Sequence, residues 1–176
     1  LTITQSAIHG NTAGENGGGL YSNNYDGIGS TMVTNTTISG NSAGQKGGGV
    51  FLAAEPKVTF NNVTISDNES LDGGGLTAYN VPAYAGTGTV TLNRTIVSGN
   101  RSRGYGAEIL TVSATITANN FNLFGHSGIS NGVAFNGFTP GANDITATSD
   151  GTQPTALASI LAPLADNGGP TTPATM

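Results

Sequence analysis

Four times along the chain an aliphatic residue is followed three places later by asparagine in a near-identical tetrad. The copies are Ile8-His9-Gly10-Asn11, Ile38-Ser39-Gly40-Asn41, Ile65-Ser66-Asp67-Asn68 and Val97-Ser98-Gly99-Asn100. A degraded fifth copy reads Leu123-Phe124-Gly125-His126, and successive spacings are 30, 27, 32 and 26 residues. Each of the first three copies leads into a glycine triplet (Gly17 to Gly19, Gly47 to Gly49, Gly73 to Gly75), followed by Leu20, Val50 or Leu76. In the fourth copy the triplet reads as Gly104-Tyr105-Gly106, with Ile109 as the apolar equivalent. A fixed period of this kind is the mark of a repeat architecture, in which each unit buries its apolar face only by stacking on the next.

Counting backward from each anchor exposes strands. Seven residues before it stand Leu1, Thr31, Val58, Val90 and Ile116; five before it stand Ile3, Val33, Phe60, Leu92 and Ala118. Alternate positions are mostly apolar and those between mostly Thr, Asn, Gln and Ser, the pattern of a half-buried strand. Helical repeats fit poorly, since glycine in a helix interior costs about 1 kcal/mol per residue. A propeller blade needs roughly 40 residues or more, and the leucine-rich frame is missing. Two or three short strands per unit with wide turns suit one coil of a parallel β-helix. The expected fold is therefore all-β: a right-handed, single-stranded parallel β-helix of about five coils over residues 1–126. Residues 127–176 are expected to form an irregular last coil and a capping segment of the same domain.

In such a stack, equivalent residues lie roughly 4.7–4.9 Å apart along the axis. Ile8, Ile38, Ile65, Val97 and Leu123 should form one internal ladder, and Leu20, Val50, Leu76 and Ile109 another. Asn11, Asn41, Asn68 and Asn100 follow directly after a strand, where an amide can satisfy turn backbone and bond to the copy above. They read as structural, and the glycine triplets as a corner needing positive φ or close backbone approach.

Charge narrows the functional classes. Only 9% of residues are charged and the net charge is −5. The five basic residues, Lys46, Lys57, Arg94, Arg101 and Arg103, are too few for a phosphate-binding surface, which argues against nucleic acid. No apolar run of about 18 residues is present to span a membrane as a helix. The absence of cysteine excludes disulfides and thiolate metal sites. The chain opens at Leu1 directly in a strand pattern, so a processed chain or fragment with an uncovered first coil is expected.

After about residue 126 the repeat fades. The run Ala156 to Leu164 is compact and apolar, and its last four residues open the ending Leu161-Ala162-Pro163-Leu164-Ala165-Asp166-Asn167-Gly168-Gly169-Pro170-Thr171. The coils resemble those of bacterial surface β-helix proteins, including the polymorphic outer-membrane protein group. The ending resembles the "choice-of-anchor Q" class of predicted surface proteins. That resemblance implies an extracellular or cell-surface location, and the class's usual G-S-P-A-I-D stretch is replaced here by Thr172 to Met176.

Because β-helices also carry polysaccharide lyases and hydrolases, the residues must be tested for chemistry. A lyase would need an acidic Ca²⁺ cluster and a basic proton acceptor; the best candidates are Asp67, Glu69 and Asp72, with Arg94, Arg101 and Arg103 about one coil later. A hydrolase would need close acids, and Asp144 and Asp150 are the remaining pair. His9 and His126 sit in the first and last coils, too far apart for one site. Five sequons, at Asn35, Asn62, Asn68, Asn93 and Asn100, match the number such a composition yields by chance. Tyr21, Tyr25, Tyr79 and Tyr84 lie near the glycine corners, either as sugar-stacking rings or as loop-packing aromatics. No catalytic, cofactor-binding or metal-binding set is expected. The expectation is a non-enzymatic extracellular structural or adhesive protein, contacting surface glycans, proteins or copies of itself head-to-tail. The alternative is a carbohydrate-active β-helix enzyme.

Overall fold

The computed structural model describes residues 1–24, 29–54, 57–80 and 89–162. The first coil contains β1 (Thr2–Thr4), β2 (Ala7–His9), β3 (Thr12–Ala13) and β4 (Leu20–Asn24). The second repeats this order as β5 (Thr31–Thr34), β6 (Thr37–Ser39), β7 (Ser42–Ala43) and β8 (Val50–Ala54). The third has β9 (Lys57–Asn61), β10 (Thr64–Ser66), β11 (Glu69–Ser70) and β12 (Leu76–Tyr79). The fourth has β13 (Thr89–Asn93), β14 (Ile96–Val97), β15 (Arg101–Ser102) and β16 (Ile109–Val112). A fifth coil keeps β17 (Thr115–Ala118) and β18 (Leu123–Phe124), has no third strand, and then has the helical turn α1 (Asn131–Ala134) where earlier coils place their glycine corner. It returns through β19 (Phe135–Asn136); β20 (Ile145–Thr146) and the turn α2 (Leu157–Ile160) follow.

Every strand pairs in parallel with its equivalents one coil away, giving four sheets of five, six, four and five strands. The fold is a parallel β-solenoid with four complete coils and a fifth lacking its third strand. Each complete coil has four strands, more than the two or three expected. The extra one is the two-residue strand directly after the asparagine, too short for alternation to reveal.

The expected inner ladders form with one change. On the first face, Ile3, Val33, Phe60, Leu92 and Ala118 are in register, as are Thr31, Val58, Val90 and Ile116. On the fourth, Leu20, Val50, Leu76 and Ile109 stack and continue into Phe135. On the second, Ile8, Ile38, Ile65 and Val97 stack, but the fifth member is Phe124, not Leu123. Leu123 pairs with Ile96 on the outer side and is half-buried, whereas Phe124 is fully buried. A one-residue slip moves a strand side chain to the opposite face. Inside, Phe124 meets Phe135 and Phe138 edge-to-face at ring-centroid distances of 6.3 and 5.2 Å, closing the core below the fourth coil.

The first corner of each coil carries a non-glycine residue in the left-handed region: Gln5, Asn35, Asn62, Arg94 and Phe121, at φ from 47° to 57°. Asparagine tolerates that conformation better than most residues. Here Asn62 also donates Nδ2–H to Asn35 Oδ1 at 3.1 Å, and Arg94 Nε donates to Asn62 Oδ1 at 2.8 Å.

Candidate functional site

The most highly connected polar feature is the asparagine column at the second corner. Asn41 Nδ2 donates to Ile8 O in the coil before it and to Asn68 Oδ1 in the coil after it. The same Oδ1 accepts the Asn41 backbone N–H at 3.0 Å. Asn68 repeats this toward Ile38 O and Asn100 Oδ1, and Asn11 toward Asn41 Oδ1. Asn41, Asn68 and Asn100 are buried. A buried amide with all its bonding capacity engaged holds coils together and is closed to solvent chemistry.

This column dictates the glycines. The first glycine of this corner has positive φ in each of the four complete coils: Gly17, Gly47, Gly73 and Gly106. The second is glycine because the next coil's third strand lies against it: a Cβ on Gly48 would sit 2.4 Å from Glu69 O, and one on Gly74 2.1 Å from Arg101 O. The third is glycine because the next coil's asparagine lies against it: a Cβ on Gly49 would be 2.8 Å from Asn68 Nδ2, and one on Gly75 2.8 Å from Asn100 Nδ2. In the fourth coil this corner is Gly106-Ala107-Glu108, not Gly104-Tyr105-Gly106. The backbone bonds set that register, with Gly75 N donating to Ala107 O and Leu76 N to Glu108 O. The fifth coil has neither a third strand nor the asparagine, so both constraints lapse and Ala107 and Glu108 are admitted.

Glu108 takes over what the missing asparagine would do. Its Oε2 accepts Asn100 Nδ2–H at 2.7 Å and the Asn100 backbone N–H at 3.2 Å, while Oε1 accepts the Gly99 N–H at 2.9 Å. Burial is complete and pushes the carboxyl up from 4.5 to about 8, against the opposing pull of those three donated bonds. Asp144 does the same at the first corner of the last turn. Its Oδ1 accepts from Asn120 N, Asn122 N and Asn122 Nδ2, and its Oδ2 from Gly141 N.

The lyase candidates are brought together by the stacking, as ion pairs. Arg101 meets Asp67 at 3.2 Å, Arg103 meets Glu69 at 3.1 Å, and Lys46 meets Asp72 at 3.3 Å. Asp72 Oδ1 also accepts the Tyr105 N–H, and Arg94 is drawn to Asn62 at another corner. A shallow groove of about 180 Å³ over the third face is lined in part by Ser42, Gly44, Glu69, Leu71 and Arg103. Among the described residues, no three His, Asp or Glu side chains group as a metal ion would need. Asp150, the other hydrolase candidate, binds the Asn131 N–H at 2.7 Å, away from Asp144's partners. His9 lies on exposed β2 in the first coil. His126 follows β18 in the fifth, its pKa lowered by partial burial and its Nδ1 accepting the Gly128 N–H.

Of the four tyrosines, Tyr25 and Tyr84 lie outside the described residues. Tyr21, Phe51 and Tyr79 stack along the fourth face, with centroids 5.5 and 6.4 Å apart and planes within 25°. Rings stacked on one another occupy the faces that a sugar would need, so loop and face packing accounts for them better than a sugar platform. Of the sequon asparagines, Asn68 and Asn100 are buried in the column, Asn93 is half-buried, and Asn35 and Asn62 are exposed. The Asn167-Gly168-Gly169-Pro170-Thr171 segment lies outside the described residues.

Comparison with protein-family models, curated proteins and solved structures finds no match.

Proposed function

We propose that this chain is a structural or adhesive element of an extracellular or bacterial cell surface, its rigid solenoid acting as a spacer and contact face. The observation that carries the reading is how the described charged side chains are used: those with mapped partners bind neighbouring coils or turns instead of converging on one cleft. What is left outward on the first face is a column of Thr2, Met32, Thr59, Thr91 and Thr117 beside one of Thr4, Thr34, Asn61 and Asn93. Hydroxyls and amides repeating at the coil spacing suit broad, uncharged contacts with a glycan or protein surface. The resemblance of the repeats to the polymorphic outer-membrane protein and choice-of-anchor Q groups points the same way. Head-to-tail stacking of copies is the filament variant; it requires the Phe135, Phe138 and α2 cover over the fourth coil to move aside.

Binding of the purified chain to a glycan array and to immobilised extracellular proteins tests this reading. Saturable binding without turnover supports it. Ca²⁺-dependent cleavage of an acidic polysaccharide, lost in Asp67→Ala, would replace it with the enzyme alternative.

A further inference from the structure

On the outer side of the first face, one row of side chains reads Thr2, Met32, Thr59, Thr91 and Thr117. A second row, two residues further along each strand, reads Thr4, Thr34, Asn61 and Asn93. We propose that this face binds ice, its threonine rows holding water in the order of the ice lattice. The proposal goes beyond the glycan and protein contacts proposed above and shares only their face.

The hydroxyls of this face are not used by the fold. Thr36 and Thr95, at the corner just after it, donate theirs to Thr34 O and Asn93 O. Among the described residues, the hydroxyls of Thr2, Thr4, Thr34, Thr59, Thr91 and Thr117 bond to no protein group. A β-branched side chain is stiff at χ1, so each presents its hydroxyl and methyl to water in a fixed place.

The rows are also regular. Their members pair in register, with no offset from coil to coil. Each row therefore repeats at roughly 4.7–4.9 Å, and the two rows lie about 6.6 Å apart along the strands. Oxygen atoms on a prism face of hexagonal ice repeat slightly closer than the first spacing and slightly wider than the second. Over five coils the accumulated misfit stays well under one repeat.

Charge and rigidity fit the same occupant. Among the described residues, the outward positions of β1, β5, β9, β13 and β17 hold one charged side chain, Lys57, at the start of β9. An uncharged lattice can therefore meet the rows without stripping water from ions. The second row is fixed by its own bonds: Asn93 Nδ2 donates to Asn61 Oδ1 at 2.7 Å, and Asn120 Nδ2 to Asn93 Oδ1 at 2.8 Å. Side-chain ladders favour a flat sheet, and a surface ordered beforehand loses little entropy on binding. Met32, 49% exposed, is the one break in the first row.

Adsorbed molecules force ice to grow as curved fronts between them, which lowers the freezing point below the melting point. The test is growth of an ice hemisphere from a dilute solution of the full chain, with uptake into ice and the gap between melting and freezing as readouts. The chain should enter the ice and open a gap, while an unrelated protein of similar size is excluded. Thr91→Lys, inside the first row, should lose both effects. Thr37→Lys puts the same charge on the second face and should keep them. Met32→Thr completes the row and should widen the gap. Urea unfolding checks that each variant is folded; if Thr91→Lys is not, Thr117→Lys, at an exposed place in the same row, replaces it. Exclusion of the wild-type chain from ice, equal behaviour of the two lysine variants, or a gap that fails to widen in Met32→Thr overturns the proposal. Glycan binding without ice uptake would leave the contact reading standing and sink this one.

Discussion

Asn68 Nδ2 donates to Asn100 Oδ1 at 2.9 Å, across 32 residues of sequence and one coil of structure. The same nitrogen reaches back to Ile38 O, while Asn68 Oδ1 accepts both donors of Asn41. One side chain thus spans three coils. Asn68→Ala removes the acceptor of the buried Asn41 N–H and takes one partner each from Asn41 Nδ2, the Ile38 carbonyl and Asn100 Oδ1, of which Nδ2 keeps Ile8 O and Oδ1 keeps the residue-68 N–H. Each unmet buried group costs about 1–3 kcal/mol, moderated by relaxation and water entry. A loss of about 3–5 kcal/mol is expected in denaturant unfolding, and a loss below 1 kcal/mol would mean the column is not what joins the coils.

Glycine substitutions should separate the two reasons for glycine. At Gly49, a Cβ would press on Asn68 Nδ2 and Gly75 O, both 2.8 Å away, so Gly49→Ala should cost about 1–3 kcal/mol by overpacking. At Gly10 there is open space but φ is +66°, so Gly10→Ala should cost about 1–2 kcal/mol from conformation alone. At Gly14 neither constraint applies, and Gly14→Ala should be neutral or slightly stabilising. Thermal midpoints of the three variants in one buffer provide the comparison; equal losses would contradict the packing account.

The coils were legible because the repeat displays them twice, once in inward aliphatic positions and once in Asn and Gly at corners that tolerate little else. Chain order alone pairs Ile38 with Ile65 and Val50 with Leu76. What escaped was the ending. Glu108 has no local mark of a ladder residue, because its role comes from what the next coil lacks. A sequence signal was nonetheless present. Counting six residues on from Asn11, Asn41 and Asn100 gives Gly17, Gly47 and Gly106, so Ala107 and Glu108 stand in the second and third glycine places. Residue types and a one-coil separation brought Asp67 and Glu69 near Arg101 and Arg103. Whether a site forms depends on side-chain geometry, and the geometry gives paired charges.

The fifth coil's register can be tested directly. Phe124 is fully buried between Phe135 and Phe138, whereas Leu123 faces outward between Ile96 and Ile145. Phe124→Ala should cost about 3–5 kcal/mol, the range for a large core side chain. Leu123→Ala, at a half-exposed outer position, should cost about 1 kcal/mol or less. Reversal of that order in chemical unfolding would restore Leu123 to the inner ladder.

The two arginine pairs on the third face should contribute little to holding the coils together. The Arg101 and Arg103 side chains are 72% and 78% exposed, and their partners Asp67 and Glu69 are 69% and 43% exposed. Water and salt screen such pairs, and fixing two long side chains offsets much of the attraction. Arg101→Ala and Arg103→Ala should each change stability by less than about 1 kcal/mol. The Asp67 member adds a reason of its own: it sits at φ 52° where the first, second and fourth coils have Gly10, Gly40 and Gly99. Asp67→Gly should therefore be neutral or stabilising, since relief of a left-handed aspartate offsets the loss of an exposed ion pair. Unfolding of all three variants at low and high salt checks this. A loss above about 2 kcal/mol at high salt would show that the charged row, and not the asparagine column, fastens the third coil to the fourth.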